Sequence, residues 1–239
     1  MKLDILAFAA HPDDAELSCI GTLIKHIKAG QKAGIVDLTR GELGTRGTSE
    51  IRDQEAAHAT RIAGLHVRDN LGLADGFFRG DRKSLLKIVE AIRKYQPEIV
   101  LLNAVHDRHP DHGRGSNVAS EACFLSGLKK VKTVDENGDP QKAWRPKVVY
   151  HYIQDRFIAP DLVVDISDVW EQKQECIRAF RSQFFDPNSV EPDTYISSPE
   201  FMQFLEARAQ EMGHSIGVKY GEGFTKERNV GVNLLTDLI

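Results

Sequence analysis

The sequence predicts an α/β protein built on a doubly wound, mostly parallel sheet. Three observations support this prediction. Short apolar runs alternate four times with stretches of helical spacing between residues 3 and 128, two of the predicted helices end at a glycine, and clusters of histidine and aspartate follow two of the apolar runs. Such alternation is typical of a parallel sheet with helices on both faces. Its chemistry is expected at the carboxyl ends of the strands.

The first predicted strand is the apolar run at residues 3–10. Apolar side chains at helical spacing then predict a helix over 17–30, and Gly30 suits its C-cap. A second strand is predicted at 33–38. Residues 39–48 contain three glycines and predict a mobile loop without regular structure. This glycine-rich loop lacks the spacing of a dinucleotide or P-loop motif, and we interpret it as a substrate lid.

The same alternation continues, with strands predicted at 67–71 and 98–103 and helices at 49–64, 82–95 and 115–128. Ser49 can cap the first of these helices. The second helix should end before Pro97, because the residue before a proline avoids the helical conformation. A sheet order of 3-2-1-4-5 would make strands one and four neighbours across the switch point of the sheet.

The second half of the chain has weaker patterns. Residues 129–145 are charged and contain a turn motif, which indicates a hairpin or a flexible excursion. Further elements are predicted as strands at 147–152 and 162–166 and helices at 168–180 and 199–212. The last 27 residues show no clear periodicity. Without a repeat or a linker that would divide the chain, we expect one domain over residues 1–239.

Composition places the chain among ordinary globular proteins, with 239 residues, 41% of them hydrophobic and 28% charged. The net charge of −4 gives no general attraction to nucleic acid or to an anionic membrane, and neither is expected as a partner. The three cysteines are scattered, which argues against a disulfide framework and fits a reducing cytoplasm. No signal peptide and no apolar stretch of about 18 residues is recognisable. We therefore expect a cytoplasmic protein.

The first cluster, His11-Pro12-Asp13-Asp14, follows the first predicted strand. Pro12 ends the strand, because proline cannot continue a sheet ladder. His11 and Asp14 are three residues apart and would share one side of a helical turn, where an imidazole and a carboxylate can bind one divalent ion. Asp13 would lie beside them, placed to accept a proton from water on that ion. Glu16 could support this turn or could be an ordinary acidic residue at a helix start.

The second cluster, His109-Pro110-Asp111-His112, follows the fourth predicted strand. His112 could supply a third ligand, and three protein ligands with one open position are typical of catalytic zinc. Asp111 could hydrogen-bond the His109 ring and raise its basicity. A protonated His109 could then stabilise an oxyanion and protonate a leaving amine. The sequence thus predicts a single metal centre that catalyses hydrolysis.

Together the two motifs resemble the signatures of the LmbE/PIG-L zinc-dependent N-acetylglucosaminyl deacetylases. The segments 195–201 and 217–224 resemble the bacillithiol biosynthesis deacetylase branch, BshB. This resemblance implies a Rossmann-like fold with a C-terminal extension. It also implies a zinc-dependent hydrolase of linear amides, with Fe²⁺ as an alternative metal in the cell. The implied substrate is a small molecule, N-acetylglucosaminyl-L-malate, and the implied assembly is a homo-oligomer, specifically a hexamer.

The resemblance also assigns roles to individual residues. It makes His11, Asp14 and His112 the zinc ligands, Asp13 the general base, and His109, partnered by Asp111, the electrophile or acid. Arg52, which begins the helix after the glycine-rich loop, would contact the sugar. Two further candidates come from position alone. Arg108 could meet an anionic group of the substrate or lie on the surface, and Tyr195 could close over the site or be a packed tyrosine.

Three alternatives remain open from the sequence. The enzyme could deacetylate another N-acetylglucosamine compound, such as a chitobiose-like sugar or a thiol conjugate. The chain could instead be a non-catalytic metal- or sugar-binding domain, although such a domain would need neither Asp13 nor His109. A nicotinamide-dependent dehydrogenase would suit the fold, but the first cluster stands where that class requires its glycine motif.

Overall fold

The computed structural model describes residues 1–238 and confirms the predicted α/β class. Its central sheet has seven strands in the order β3-β2-β1-β4-β5-β7-β6. The strands are β1 Ile5–Ala9, β2 Ala33–Asp37, β3 Val67–Asn70, β4 Ile99–Leu102, β5 Val148–Tyr152, β6 Leu162–Asp165 and β7 Gly221–Lys226. The first five strands pair in parallel in the predicted order 3-2-1-4-5.

Helices cover both faces of the sheet. They are α1 Asp14–Ser18, α2 Ile20–Lys28, α3 Ser49–Ala63, α4 Arg82–Tyr95, α5 Pro110–Ser126, α6 Trp170–Arg178 and α7 Pro199–Ser215, with short 3-10 segments at Ser167–Val169, Tyr195–Ser197 and Leu235–Asp237. One apolar core packs α1, α2, α3, α6 and α7 against one face of the sheet. A second core packs α4 and α5 against the other face. The molecule is therefore doubly wound, as the sequence predicts.

Two helix starts differ from the prediction near the clusters. The predicted helix 17–30 is two helices, α1 and α2, which are separated at Cys19. Glu222 explains the break, because its carboxylate accepts hydrogen bonds from the backbone N–H groups of Gly21 and Thr22 and so caps the start of α2. Helix α5 begins at Pro110 rather than at residue 115. The second motif thus forms its first turn and is not a loop.

The cap of α3 is Thr48 and not Ser49. Thr48 is extended and its side chain accepts a hydrogen bond from the backbone N–H of Ile51, whereas Ser49 is already helical. Gly64 ends the same helix in the left-handed conformation, with φ of 72°. Helix α4 has the predicted bounds and is capped by Asp81.

The aperiodic C-terminal segment contains a strand that the sequence pattern misses. Strand β7 inserts between β5 and β6 and is antiparallel to both. Its two glycines hide the strand pattern, but both are required by packing. A Cβ on Gly221 would lie 2.6 Å from Val163 Cγ1, and one on Gly223 would lie 2.8 Å from Met212 Sδ.

Residues 129–145 contain neither a helix nor a regular hairpin. Their backbone forms one isolated antiparallel bridge, between Val134 and Pro140. The buried guanidinium of Arg93 on α4 holds this segment, since it donates to the carbonyls of Leu128 and Val131 and to the Thr133 hydroxyl. Within residues 1–238, no helix is long and apolar enough to cross a membrane.

Candidate metal and catalytic centre

Strands β1 and β4 end side by side, and their following loops form the wall of a cavity of about 320 Å³. Asn103, just after β4, accepts a hydrogen bond from the backbone N–H of Ala10, just after β1, at 2.9 Å. Both clusters therefore lie in one crevice at the carboxyl ends of the strands. The glycine-rich loop and the segment before α7 also line the cavity. The closing motion of a lid stays a prediction.

The structure brings His11, Asp14 and His112 together in this cavity. The Asp14 carboxylate lies 3.6 Å from His11 Nδ1 and 3.0 Å from His112 Nε2. Ligand nitrogens of His11, His109 and His112 also lie within 4.8 Å of one another, close enough to hold one metal ion. His11, His109 and His112 are therefore spaced for a common ion, and the Asp14 carboxylate lies next to two of these rings. The assignment of His11, Asp14 and His112 as the ligands stays a prediction.

A carboxylate contacts one ring nitrogen of His112, and another contacts one ring nitrogen of His11. His112 Nδ1 lies 2.5 Å from Asp107, and His11 Nε2 lies 3.0 Å from Asp75. A carboxylate on one ring nitrogen fixes the tautomer and leaves the other nitrogen free as a ligand. Sequence reasoning missed both acids. Asp107 lies only five residues before His112 and could have been noticed, whereas Asp75 comes from a loop with no motif.

Three amide N–H groups donate hydrogen bonds to the Asp14 carboxylate. The side chains of Asn103 and Gln154 each donate a hydrogen bond of 3.0 Å to its carboxylate, and the backbone N–H of His11 donates a third. Burial alone would raise the pKa of Asp14, but the neighbouring His112 and His11 outweigh it and hold that pKa well below its ordinary value. Asp14 is thus an ionised carboxylate in a fixed orientation.

The two ligand imidazoles respond in the opposite direction. Burial lowers the pKa of His112, but Asp14 and Asp107 raise it to about 9. The pKa of His11 is likewise raised well above its ordinary value by hydrogen bonds to Asp111, Asp14 and Asp75, which outweigh its burial. Both shifts favour the protonated imidazoles beside the ionised carboxylates.

Asp13 lies beside this cluster in a strained backbone conformation, with φ of 118°. Such a conformation costs about 1–3 kcal/mol for a residue that is not glycine, and it is typical of functional sites. The side chain is buried, and burial raises its pKa to about 7, against the lowering effect of Arg52. A carboxylate with this pKa can take up a proton near neutral pH.

Arg52 is buried against Asp13 rather than free to face a ligand. Its guanidinium lies 2.9 Å from the Asp13 carboxylate and donates to the carbonyls of Pro12 and Gly41. Gly41 is required there, because a Cβ would lie 1.9 Å from Arg52 Nη1. The residue lines the cavity, but its visible hydrogen bonds hold the Asp13 turn. Its predicted contact with a sugar stays a prediction.

His109 and Asp111 are arranged differently from the expectation. The His109 ring accepts a hydrogen bond from the backbone N–H of Asp111 at Nδ1, so the neutral ring carries its proton on Nε2. The Asp111 carboxylate instead accepts from the N–H of Gly76 at 2.7 Å and lies 3.5 Å from His11 Nε2. Because Asp111 belongs to the first turn of α5, its side chain turns toward His11. It is a partner of His11 and not of the His109 ring.

This arrangement also changes the expected charge of His109. Burial lowers its pKa, and the neighbouring His11 and His112 lower it further. The ring stacks on His112 with centroids 5.2 Å apart. These effects favour the neutral His109 ring. Its predicted role as electrophile or acid stays a prediction.

Arg108 and Tyr195 meet at the rim of the cavity through an acid that the sequence did not suggest. The Tyr195 hydroxyl donates to Asp155 at 2.9 Å, and Arg108 Nε lies 3.5 Å from the same carboxylate. The Arg108 guanidinium also lies over the Tyr195 ring, 4.6 Å from its centroid. Both side chains remain about half exposed, so they can contact a ligand entering the cavity.

Glu16 supports the first cluster from below. It is fully buried and pairs with Arg68, whose guanidinium also binds Asp37 at 2.8 Å and 3.1 Å. This network connects α1 to β2 and β3. Glu16 therefore holds the turn rather than the ligands themselves.

Comparison with known proteins agrees with this geometry. The model of the PIG-L family, described as GlcNAc-PI de-N-acetylase, matches residues 6–123. Diacetylchitobiose deacetylase of Thermococcus kodakarensis is 29% identical over 236 residues, which cover 92% of this chain and 81% of the relative. The uncharacterized deacetylase YaiS of Escherichia coli is 34% identical over 125 residues, which cover 50% of this chain and 67% of YaiS.

Another relative is named for a different reaction. The 4-oxalmesaconate hydratase of Pseudomonas putida is 25% identical over 193 residues, which cover 74% of this chain and 73% of that protein. Sequence similarity across this group therefore extends to an enzyme that is not named a deacetylase.

Two solved structures share the fold over nearly the whole chain. The conserved protein TT1542 from Thermus thermophilus superposes with a TM-score of 0.85 at 36% identity, covering 96% of this chain and 97% of its own. The N,N'-diacetylchitobiose deacetylase from Pyrococcus horikoshii superposes with a TM-score of 0.78 at 27% identity, covering 98% and 88%.

Proposed function

The chain belongs to the PIG-L family of de-N-acetylases, and on that premise we propose that it is a metal-dependent amidase that removes the N-acetyl group from an N-acetylglucosaminyl compound. One observation carries the proposal. The cavity places Asp13, a carboxylate with a pKa of about 7, beside a set of two imidazoles and one carboxylate. This combination suits the hydrolysis of an amide.

His11, Asp14 and His112 fit a divalent cation. Imidazole and carboxylate are ligands that Zn²⁺ accepts, three protein ligands leave a position open, and carboxylates orient both rings. A bound ion would polarise the acetamide carbonyl and lower the pKa of water in the site. We propose Zn²⁺, with Fe²⁺ as the alternative metal in the cell.

Asp13 takes the proton of the attacking water as the new C–O bond forms. Arg52 orients its carboxylate through the 2.9 Å ion pair. His109 offers its Nε2 proton to the oxygen that becomes negatively charged, because its Nδ1 already accepts from Asp111. When the C–N bond breaks, the proton held by Asp13 passes to the departing amine. The products are acetate and a free glucosamine compound.

The substrate that we propose is N-acetylglucosaminyl-L-malate, which would yield glucosaminyl-malate in bacillithiol biosynthesis. The tail motifs at 195–201 and 217–224 support this branch, and the first of them contributes Tyr195, Ile196 and Phe201 to the cavity wall. We further propose that the protein is cytoplasmic and forms a homo-oligomer, namely a hexamer. The named relatives make diacetylchitobiose the alternative substrate.

An acetate-release assay on the purified protein tests the proposal. The panel contains N-acetylglucosaminyl-L-malate, diacetylchitobiose and N-acetylglucosamine, and acetate and free amine are both quantified while metal content is measured. Chelation should abolish release, and added Zn²⁺ or Fe²⁺ should restore it. If no compound yields acetate from metal-loaded protein, the deacetylase proposal is wrong. Hydration of 4-oxalmesaconate would then be assayed, because one relative is named for it.

A further inference from the structure

Arg46 is a buried arginine on the wall of the cavity. It belongs to the glycine-rich loop and is only 3% exposed. The segment after α6 holds its backbone in place, since Gln183 donates a hydrogen bond of 2.7 Å to the Arg46 carbonyl. One terminal nitrogen of its guanidinium donates to the Ser189 hydroxyl. The side chain is thus held in place by neutral groups.

The charge of Arg46 is not neutralised by the protein. Among the residues that the structure describes, no carboxylate lies within 4.0 Å of its guanidinium, and its buried Nε has no hydrogen-bond partner. The neighbouring arginines differ in their ion pairs, because Arg40 pairs with Asp53 and Arg52 pairs with Asp13, although the Nε of Arg52 also has no hydrogen-bond partner. Buried charges are normally paired, so an uncompensated one facing a ligand cavity indicates that the ligand supplies the counter-charge.

A second arginine that lines the cavity also lacks a direct ion pair. Arg208 on α7 donates to the carbonyls of Leu17 and Gln154, and no carboxylate of residues 1–238 lies within 4.0 Å of it. Carbonyl oxygens satisfy its hydrogen bonds but leave its positive charge in place. Its charge is partly compensated at longer range by the carboxylates of Asp155, Glu222 and Asp107, so Arg46 remains the stronger candidate for binding an anion.

From this we infer that Arg46 is an anion-binding subsite that selects substrates carrying a carboxylate or phosphate group. The planar guanidinium matches both groups through paired N–H donors, whereas sugar hydroxyls would leave its charge uncompensated. The acetamide must reach the His11, Asp14 and His112 cluster. The anion is therefore carried by another part of the same molecule, its aglycone. The inference rests on the proposed function and adds a charge requirement to it.

Two matched substrate pairs test the charge requirement on the metal-loaded wild-type enzyme. One pair is N-acetylglucosaminyl-L-malate and its dimethyl ester, and the other is N-acetylglucosamine 1-phosphate and the methyl N-acetylglucosaminide. We expect kcat/KM to favour the charged member by about tenfold or more in at least one pair. A preference in the first pair identifies a carboxylate ligand, and a preference in the second identifies a phosphate.

Variants then assign the preference to Arg46. Arg46→Gln should reduce the charged-to-neutral ratio of kcat/KM to about threefold or less, and Arg46→Lys should keep part of it, since lysine retains the charge without the fork. Arg40→Gln is the matched control, because Arg40 lies on the same loop, is exposed and is paired with Asp53. It should leave the ratio unchanged.

The outcomes separate this inference from the proposed function. Turnover of all four compounds without preference for charge would overturn the inference alone, and this result needs no variant. A ratio unaffected by Arg46→Gln, with both members slowed equally, would show that Arg46 only holds the loop. Absence of acetate release from every compound would overturn the proposed function and the inference with it.

Discussion

Arg52→Met should change the pH dependence of catalysis more than the binding of substrate. Arg52 lies 2.9 Å from Asp13 and is its nearest positive charge, so removing the guanidinium removes an interaction that lowers the pKa of the base. An arginine at this distance typically lowers a carboxyl pKa by about one to three units. The base of the variant should therefore titrate about one to three pH units above the wild-type value of about 7.

The sign of the effect follows from the role of the base. The base proposed here, Asp13, would act when it is deprotonated, so kcat/KM of the wild type should rise with pH through about 7 and level off above it. At pH 7 about half of the wild-type carboxyl is ionised, whereas the variant would have about 9% to 0.1% ionised. The expected loss at pH 7 is therefore about five- to five-hundredfold, and it should shrink as the pH rises.

The assay is kcat/KM for acetate release between pH 5.5 and 10, with metal content measured at each pH. Arg52→Lys serves as the control, because it keeps a positive charge next to Asp13 and should move the profile less. A loss of equal size at every pH, with the acidic limb still near 7, would refute this reasoning. It would instead support direct contact between Arg52 and the substrate, as the sequence suggested.

Three further results are expected. Asp13→Asn should keep its metal but lose about 10²–10⁴-fold in kcat, as measured by turnover together with metal analysis, and near-normal turnover would mean that another group is the base. Asp107→Asn should weaken metal affinity about 10- to 100-fold in competition with a chelator, since Asp107 holds the His112 ring, and unchanged affinity would contradict that role. Glu222→Gln should lower the free energy of unfolding by about 3–5 kcal/mol in denaturant titrations, because it leaves the buried Lys173 ammonium without its 2.6 Å partner. A loss below about 1 kcal/mol would show that the pair is relaxed or hydrated.

The positions of the three residues explain why two variants should affect function and the third should affect stability. Asp107 contacts His112 and Asp13 is the proposed base, so their removal should change catalysis or metal affinity with little change in stability. Glu222 lies behind the cavity, where it caps α2 and binds Lys173. Its loss should lower the stability of the fold around the site rather than change the reaction itself.

The sequence by itself determined the parallel part of the fold. Strands β1 to β4 and helix α4 lie within two residues of their predicted bounds, because alternating apolar runs and helical spacing report the burial of neighbouring residues in the chain. The same local logic placed two histidine and aspartate clusters at the ends of adjacent strands. The local pattern did not predict β7, because two glycines interrupt its apolar run and its burial comes from packing between distant segments.

Only the tertiary structure decided which groups meet in the cavity. The contacts of Asp75 with His11 and of Arg52 with Asp13 join residues 64 and 39 positions apart, and no local pattern in the sequence predicts either pairing. The orientation of Asp111 toward His11 depends on α5 beginning at Pro110, and the uncompensated charge of Arg46 depends on which acids are absent around it among the described residues. A sequence motif supplies the chemical groups. Their partners, pKa values and charge balance are set by long-range packing, which local residue patterns do not encode.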